Sequence, residues 1–200
     1  LAAALTHRGP DGEGVWISSD GRAGLVHLRL AIIDTSERGH QPMQSADANH
    51  TIVYNGEIFN FLELRAELEA LGSQFRSDSD TEVVLEAWRH WGEGMLDRFN
   101  GMWALVIRDN RSGDVFLARD RFGIKPLLYS QSGGRFSFAS EMRALRSLPY
   151  IDGAISQSVA KRLLFDPFSI EGSESTLLGS IRRLPGGHFA WLRKGQLKVK

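Results

Sequence analysis

The segment VYNGEIFNFLELRAELEALG, residues 53–72, joins a strand to a helix through a polar link. Residues 51–54 are β-branched or aromatic, which predicts a strand. This strand is expected to stop at Asn55 and Gly56, a pair that usually makes a tight hairpin turn. Residues 61–71, however, repeat an apolar side chain every three or four positions and predict a helix. A strand followed by a helix argues against a simple hairpin and leaves the role of the Asn-Gly pair to be explained.

Both central helices are flanked by residues that are typical of helix ends. We expect Asn60 to cap the first helix, with Glu63 in the capping-box position and Gly72 at its end. Ser79 and Glu82 have the same spacing at the start of a second helix. The sequence therefore predicts two capped helices in the middle of the chain.

Most of the remaining chain predicts strands. They are expected at 15–17, 24–30, 31–33, 51–54, 102–107, 115–118, 127–130, 136–139, 188–192 and 196–199, with short helices at 141–148 and 156–165. Glycine-containing loops between neighbouring strands predict hairpins. Two central helices with strands on either side predict an α+β fold, in which helices pack on largely antiparallel sheets.

Composition limits the function classes. A 200-residue chain fits one domain, and its formal net charge of zero gives no field that would attract nucleic acid or an acidic membrane. No apolar run approaches the ~20 residues that span a bilayer, and no signal peptide is visible, so we expect a cytoplasmic protein. The six histidines are scattered and predict no metal site. The sequence contains no cysteine, which excludes disulfides, zinc-thiolate sites and thiol catalysis by these residues.

The ends of the chain predict that it is an internal piece of a longer protein. Residues 1–9 resemble the tail of a helix, and the last residues resemble a strand that is cut short. A chain processed at both ends is the alternative.

Two charged residues each allow two interpretations. Arg29 lies in an apolar strand-like run, so it either faces solvent or holds a carboxylate with two parallel hydrogen bonds. Asp80 stands at the start of the second helix, where acidic residues are favoured for capping and for the helix dipole. Binding of a ligand is the second interpretation for Asp80. Residue patterns alone favour solvent exposure for Arg29 and capping for Asp80.

The Asn55-Gly56 pair is also ambiguous. Both residues tolerate the backbone conformations of a turn. The pair also suits an oxyanion hole, in which the Asn55 amide and the Gly56 backbone N–H donate to one oxygen. A glycine there would let a substrate atom approach the backbone closely. Spacing does not choose between turn and oxyanion hole.

The glycine-rich stretch 132–137 has a phosphate-loop composition. In a phosphate loop of the pyrophosphatase type a helix follows, whereas here Phe136 begins a strand. The sequence therefore predicts a hairpin, and it contains no Walker-type nucleotide loop.

Eight segments in order carry a family resemblance. They are HRGPDGEG (7–14), RLAIID (29–34), QPM (41–43), VYNGEIFN (53–60), SDSDTEVVL (77–85), FNGMWALVIRD (99–109), RDRFGIKPLLY (119–129) and FASEMRAL (138–145). Together they closely resemble the glutaminase domain of glutamine-hydrolysing asparagine synthetases over nearly the whole chain. The resemblance implies that residues 1–200 are one class II glutamine amidotransferase domain with the four-layer αββα sandwich of N-terminal-nucleophile hydrolases.

The resemblance also implies the chemistry. In this family an N-terminal cysteine attacks the side-chain amide of glutamine, ammonia leaves, and water releases glutamate from the thioester. The α-amine of the cysteine serves as the base. Ammonia then serves the ATP-dependent amidation of aspartate to asparagine.

Site residues follow by matching motifs. Arg29 is similar to the arginine that grips the glutamine α-carboxylate, and Asp80 to the aspartate that pairs with the α-ammonium. Asn55 and Gly56 resemble the oxyanion hole. Neighbouring glutamine contacts are implied for Leu30, Ala31, Ile32, Ile33 and Glu57. His7, Arg8 and Asp11 are expected to fix a loop rather than to take part in chemistry.

Two family parts are missing from these residues. The nucleophilic cysteine is expected upstream of Leu1, and an ATP pyrophosphatase (synthetase) domain after Lys200. We therefore expect no cofactor in this domain, with ATP and Mg²⁺ used by the synthetase domain, and an isolated chain without enzyme activity. The expected partners are glutamine and that synthetase domain, with a homodimer left open. The alternatives are a related amidotransferase for another acceptor, as in surface-sugar biosynthesis, and a catalytically dead scaffold domain.

Overall fold

A computed structural model describes residues 1–200 as eleven β-strands and four α-helices. The strands are β1 (Gly12–Ile17), β2 (Gly24–Arg29), β3 (Met43–Gln44), β4 (His50–Ile58), β5 (Gly101–Asp109), β6 (Val115–Arg119), β7 (Leu128–Ser132), β8 (Arg135–Ala139), β9 (Arg182–Arg183), β10 (Phe189–Arg193) and β11 (Gln196–Val199). The helices are α1 (Phe61–Ala70), α2 (Asp80–Trp91), α3 (Met142–Arg146) and α4 (Gln157–Phe165). No helix combines the length and the apolar character needed to cross a membrane.

Every strand pairing is antiparallel, and the strands form three sheets. The largest has six strands in the order β11-β10-β6-β5-β4-β3. A three-stranded sheet has the order β8-β7-β9, and β1 pairs with β2 alone. The central pair, β4 and β5, is in register over nine residues, from His50 opposite Asp109 to Ile58 opposite Gly101.

Three cores separate four layers. Helices α1 and α2 pack on one face of the six-stranded sheet, through side chains such as Leu68, Leu85 and Leu105. The other face of that sheet packs on β2 and β7. Helix α3 covers the far side of β7 and β8, with Leu145 in the third core. The order helix, sheet, sheet, helix confirms the predicted α+β fold and its αββα sandwich.

Helix α1 ends as predicted but begins differently. Gly72 has φ +96°, and the Ser73 N–H donates to the Leu68 carbonyl at 2.9 Å, which closes the helix through a glycine cap. The predicted cap and capping box at Asn60 are wrong, since its side chain makes no cap bond. Asn60 instead binds the loop before β5, accepting from the Asn100 N–H at 2.9 Å. The Asn60 side chain, which the local sequence pattern assigned to the helix cap, is therefore used in a tertiary contact.

Helix α2 confirms half of its predicted capping box. Ser79 Oγ accepts from the Thr81 N–H at 3.2 Å. Glu82 does not reach back to Ser79. Its carboxylate accepts from the backbone N–H groups of Arg76 at 3.0 Å and Ser77 at 2.8 Å, which anchors the preceding loop.

The Asn55-Gly56 pair is neither a strand end nor a turn, because β4 continues through it to Ile58. A Cβ on Gly56 would lie 2.3 Å from the Met102 carbonyl oxygen and 2.6 Å from Trp103 Cα. Glycine is therefore required for the close approach of β5, and not only for access by a ligand.

Two other predicted elements differ and one is confirmed. Residues 31–33 form no strand, since the Ala31 N–H donates to Asp11 Oδ2 at 2.9 Å instead of to a neighbouring strand. Residues 1–9 contain only short 3-10 turns rather than an α-helix. The predicted hairpin in 132–137 is confirmed, with β7 and β8 joined by two glycines of positive φ.

Candidate active site

A cavity of about 260 Å³ gathers all the residues predicted to bind glutamine. Its lining includes Arg29, Leu30, Ala31, Ile32, Ile33, Asn55, Gly56, Glu57 and Asp80. These residues come from the end of β2, the loop after it, the second half of β4 and the first turn of α2. The fold therefore brings the distant motifs into one cavity.

The edge of β4 presents the Gly56 N–H to this cavity. Gly56 faces Trp103, whose own N–H and carbonyl are used by Asp120 on the opposite side, at 3.1 and 2.8 Å. Backbone groups alternate in an antiparallel pair, so Gly56 turns its N–H and carbonyl away from β5. No strand covers that edge, because β3 pairs only with Thr51 and Ile52. The Gly56 N–H is thus a fixed donor on an open edge.

Asn55 supplies a second donor on the neighbouring residue. Side chains alternate along a strand, so Asn55 points to the face that carries Val53 and packs toward the second β-layer. Its Nδ2 atom is buried and has no hydrogen-bond partner. An unpartnered buried polar group costs about 1–3 kcal/mol, which a ligand oxygen would recover.

Asp80 is a buried carboxylate that lacks a cationic partner. Its side chain is bound to β4, since Oδ2 accepts from the Tyr54 hydroxyl at 2.8 Å and from the Ile58 N–H at 3.1 Å. Burial raises the pKa of Asp80, and those two hydrogen bonds offset only part of the increase. Helix capping is left to Ser79, so the capping interpretation of Asp80 is wrong. A ligand ammonium would stabilise this carboxylate.

Arg29 is half-buried and locked in place by main-chain carbonyls. Its guanidinium donates to the Ser36 carbonyl at 2.8 Å and to the Asp34 carbonyl. A Cβ on Gly39 would lie 2.4 Å from Arg29 Nη2, so the glycine makes room for the guanidinium. Two of the five guanidinium N–H groups are engaged, which leaves the others for a carboxylate. The solvent-facing interpretation of Arg29 is therefore wrong.

The remaining predicted residues line the cavity in different ways. Leu30 and Ile32 are 56% and 66% exposed, so their side chains are not part of a packed wall. The negative charge of Glu57 raises the pKa of Asp80 further. A second carboxylate beside Asp80 makes the cavity more favourable to a cation.

The residues expected to fix a loop do so. Glu141 accepts from Arg8 at 3.1 Å and contacts His7 Nε2 at 2.8 Å. Asp11 holds the loop after β2 through the Ala31 N–H. These contacts tie the first turns of the chain to α3 and to the cavity wall.

Two residues that hold β4, Gln41 and His27, were not predicted from the sequence. The Tyr54 N–H donates to Gln41 Oε1 at 2.7 Å, and Gln41 Nε2 donates to Thr81 Oγ1 at 3.2 Å. His27 Nε2 lies 3.1 Å from the Tyr54 carbonyl oxygen. Burial lowers the pKa of His27 to about 4, so its ring is neutral near pH 7. The signal available was weak: a glutamine inside the QPM segment and a histidine two residues before Arg29.

A second, larger cavity of about 1060 Å³ adjoins the first, and His27, Tyr54 and Asn55 line both. The larger cavity is lined by β2 and β8, each the terminal strand of its sheet, and by Val53, Ala104 and Val106 of the six-stranded sheet. It therefore reaches Asn55 from the space between the two β-layers.

Comparisons with known proteins agree on one family. The whole chain, residues 1–200, matches the family model described as a glutamine amidotransferase domain. Asparagine synthetase (glutamine-hydrolysing) 1 of Bacillus subtilis is 37% identical over 197 residues, covering 98% of this chain and 30% of the relative. Asparagine synthetase (glutamine-hydrolysing) 3 of the same organism is 40% identical over 160 residues, covering 79% of this chain and 26% of the relative. The chain thus spans less than a third of the length of these curated relatives.

A solved structure supports the fold. A glutamine phosphoribosylpyrophosphate amidotransferase from B. subtilis, complexed with ADP and GMP, superposes with a TM-score of 0.70 at 19% identity. The match covers 99% of this chain and 44% of that one. At this identity the likeness concerns the fold alone.

Proposed function

The chain belongs to the glutamine amidotransferase domain family, and we propose that its smaller cavity binds free glutamine. The observation that carries the proposal is the meeting of Arg29, Asp80 and the Asn55-Gly56 donors in one 260 Å³ cavity. A free amino acid carries a carboxylate and an ammonium, and this cavity offers one cation and one buried anion for them. Asn55 and Gly56 are then left for the side-chain amide.

The same geometry supports acyl transfer at that amide. When a nucleophile attacks the amide carbon, negative charge develops on the oxygen. The Gly56 N–H and Asn55 Nδ2 are donors that no protein acceptor uses, so they can stabilise this charge without first breaking other bonds. Each such donor contributes about 10²–10³-fold to the rate.

We further propose that the attacking cysteine comes from outside residues 1–200 and lies in the larger cavity. That cavity reaches Asn55 from the inter-sheet side and is lined by the terminal strands β2 and β8. A strand placed there would bury apolar wall residues and bring its thiol beside the amide carbon. The cysteine α-amine would take the thiol proton as sulfur bonds to that carbon and would pass the proton to the amide nitrogen, which leaves as ammonia. Water would then release glutamate from the resulting thioester.

In the whole protein we propose that the ammonia amidates aspartate to asparagine in the cytoplasm. Support comes from the relatives, which are named glutamine-hydrolysing asparagine synthetases. ATP and Mg²⁺ would be used by a synthetase domain beyond Lys200. Incubating the whole protein with glutamine, ATP, Mg²⁺ and single acceptors tests this step: amidation of a sugar acid but not of aspartate would replace the proposed acceptor.

Binding is tested by calorimetry with a ligand series on the whole protein. L-Glutamine should bind, whereas 4-aminobutanamide, which lacks the α-carboxylate, and 4-carbamoylbutanoate, which lacks the α-ammonium, should bind at least tenfold more weakly. In Arg29→Ala the gap between glutamine and 4-aminobutanamide should shrink, and in Asp80→Asn the gap to 4-carbamoylbutanoate should shrink. No glutamine binding and no ammonia release would favour a scaffold domain instead.

A further inference from the structure

We propose that Gln41 and His27 are positioning residues, which hydrogen-bond the N–H and the carbonyl of Tyr54 and thereby keep the Gly56 N–H directed at the substrate. These two hydrogen bonds together are called the grip on β4. The inference rests on the proposed function, since it assigns the residues that preorganise its oxyanion donor. Both residues line the smaller cavity, and their hydrogen bonds go to the Tyr54 backbone and to the Thr81 hydroxyl.

The need for such residues follows from the edge of β4. Tyr54, Gly56 and Ile58 all turn their backbone groups away from β5, because alternate residues of an antiparallel strand face the same side. An uncovered edge carries unpaired N–H and C=O groups and tends to pair with any other strand. Here side chains replace the missing strand: the Tyr54 N–H, the Tyr54 carbonyl and the Ile58 N–H are each bound by one. Gly56 lies between the two gripped residues and keeps its N–H free.

Gln41 grips the edge from the side of α2. It is 6% exposed, and its amide bridges the Tyr54 N–H to the Thr81 hydroxyl in the first turn of α2. The bridge fixes the amide orientation, since only the oxygen can accept from a backbone N–H. Because Thr81 follows Asp80, one side chain sets the spacing between the ammonium site and the oxyanion donor.

His27 grips the same residue from the side of β2. Its Nε2 faces a carbonyl oxygen, which can only accept, so Nε2 carries the proton. Nδ1 is then an unprotonated acceptor, and it is buried without a partner. His27 also stands two residues before Arg29 on β2, which places the carboxylate site and the edge contact on one strand.

The size of the expected effect follows from how strongly rates depend on position. A displacement of about 1 Å at a reacting group can cost ~10²-fold, and deleting a donor outright costs ~10²–10³-fold. Loss of one side of the grip should therefore lower the kcat for glutamine hydrolysis about 10–100-fold. The KM for glutamine should change little, because the oxyanion donors act mainly on charge that develops during reaction.

The test uses the whole protein with Gln41→Met and His27→Leu, which remove the hydrogen bonds and keep much of the bulk. Glutamine-dependent turnover should fall as stated, while turnover with free ammonia is unchanged. His27→Gln should restore most of the activity, because a glutamine amide N–H reaches about as far as Nε2. Gln74→Leu, a similar change at an exposed side chain, is the control and should leave both activities unchanged.

A readout without turnover separates this inference from the proposed function. Hydrogen exchange at the Tyr54 amide should accelerate in Gln41→Met and stay slow in Gln74→Leu. If the wild type binds no glutamine but the Tyr54 amide responds, the proposed function falls and the grip on β4 stands. An unchanged Tyr54 amide, or equal loss of glutamine- and ammonia-dependent turnover in both variants, overturns the grip.

Discussion

Replacing Asn55 by leucine should make the protein more stable and nearly inactive with glutamine. The Asn55 Nδ2 atom is buried without a partner, and an amide turned by 180° would leave its oxygen there instead. Such a group costs about 1–3 kcal/mol, and an apolar side chain of similar shape removes that cost. With about 2–4 °C per kcal/mol for a chain of this size, the melting temperature should rise by roughly 2–12 °C.

The matched control is Asn110→Leu, since the Asn110 amide is satisfied. Its Nδ2 donates to the Ala48 carbonyl at 2.8 Å and to Thr51 Oγ1 at 2.9 Å, so the same change there should lower the melting temperature. Calorimetric melting should show a higher melting temperature for Asn55→Leu and a lower one for Asn110→Leu than for the wild type. Glutamine hydrolysis by Asn55→Leu should fall ~10²–10³-fold. A melting temperature below that of the wild type, or unaltered hydrolysis, would refute the assignment of Asn55 as an unpaired donor kept for catalysis.

Three further predictions address the rest of the cavity. Arg29→Ala should raise the KM for glutamine at least tenfold while turnover with free ammonia is spared; equal loss of both would make Arg29 structural. Because burial raises the pKa of Asp80, glutamine affinity should fall on acidification before a surface aspartate would titrate, and calorimetry across pH should show no such fall in Asp80→Asn. The stability of the protein without ligand should change with pH in the opposite direction. Because the native state holds the Asp80 proton more tightly than the unfolded state does, the unfolding free energy should fall as pH rises through that range. Gly56→Ala should cost about 1–3 kcal/mol in denaturant unfolding, because its Cβ would lie 2.3 Å from the Met102 carbonyl oxygen, whereas Gly94→Ala, with nothing within 4 Å, should cost less than half as much.

The elements of the fold were predictable where one strong pattern acts alone. The stripe of leucines in α1 and the paired glycines after β7 gave the correct element because no distant group competes for them. The cap at Asn60 failed for the opposite reason. Its amide can bond either to the helix or to a distant part of the chain, and the loop at Asn100, 40 residues away in sequence, takes it. Local rules cannot rank such alternatives.

The residues of the candidate site were predicted only through the family resemblance, and the structure places them in one cavity. Residue patterns favoured solvent for Arg29 and capping for Asp80, and the structure corrects both. Both errors arose because each residue was interpreted only from the strand or helix that contains it. Arg29 is held by carbonyls of the loop after β2, and Asp80 by groups of β4. Gln41 was missed because its partners, Tyr54 and Thr81, come from a strand and a helix that the sequence does not place side by side.

The Asn-Gly pair shows how one strand serves structure and chemistry together. On the β5 side, Gly56 is needed because no Cβ fits against Met102 and Trp103. On the other side, the same residue exposes a backbone N–H that no strand pairs with, since β3 stops opposite Ile52. An unpaired edge is normally a liability that proteins cover or charge. Here three side chains bind the neighbouring backbone groups and leave the Gly56 N–H free. The unpaired edge thus offers one donor to the cavity, where the proposed function places the negative charge that develops on the substrate.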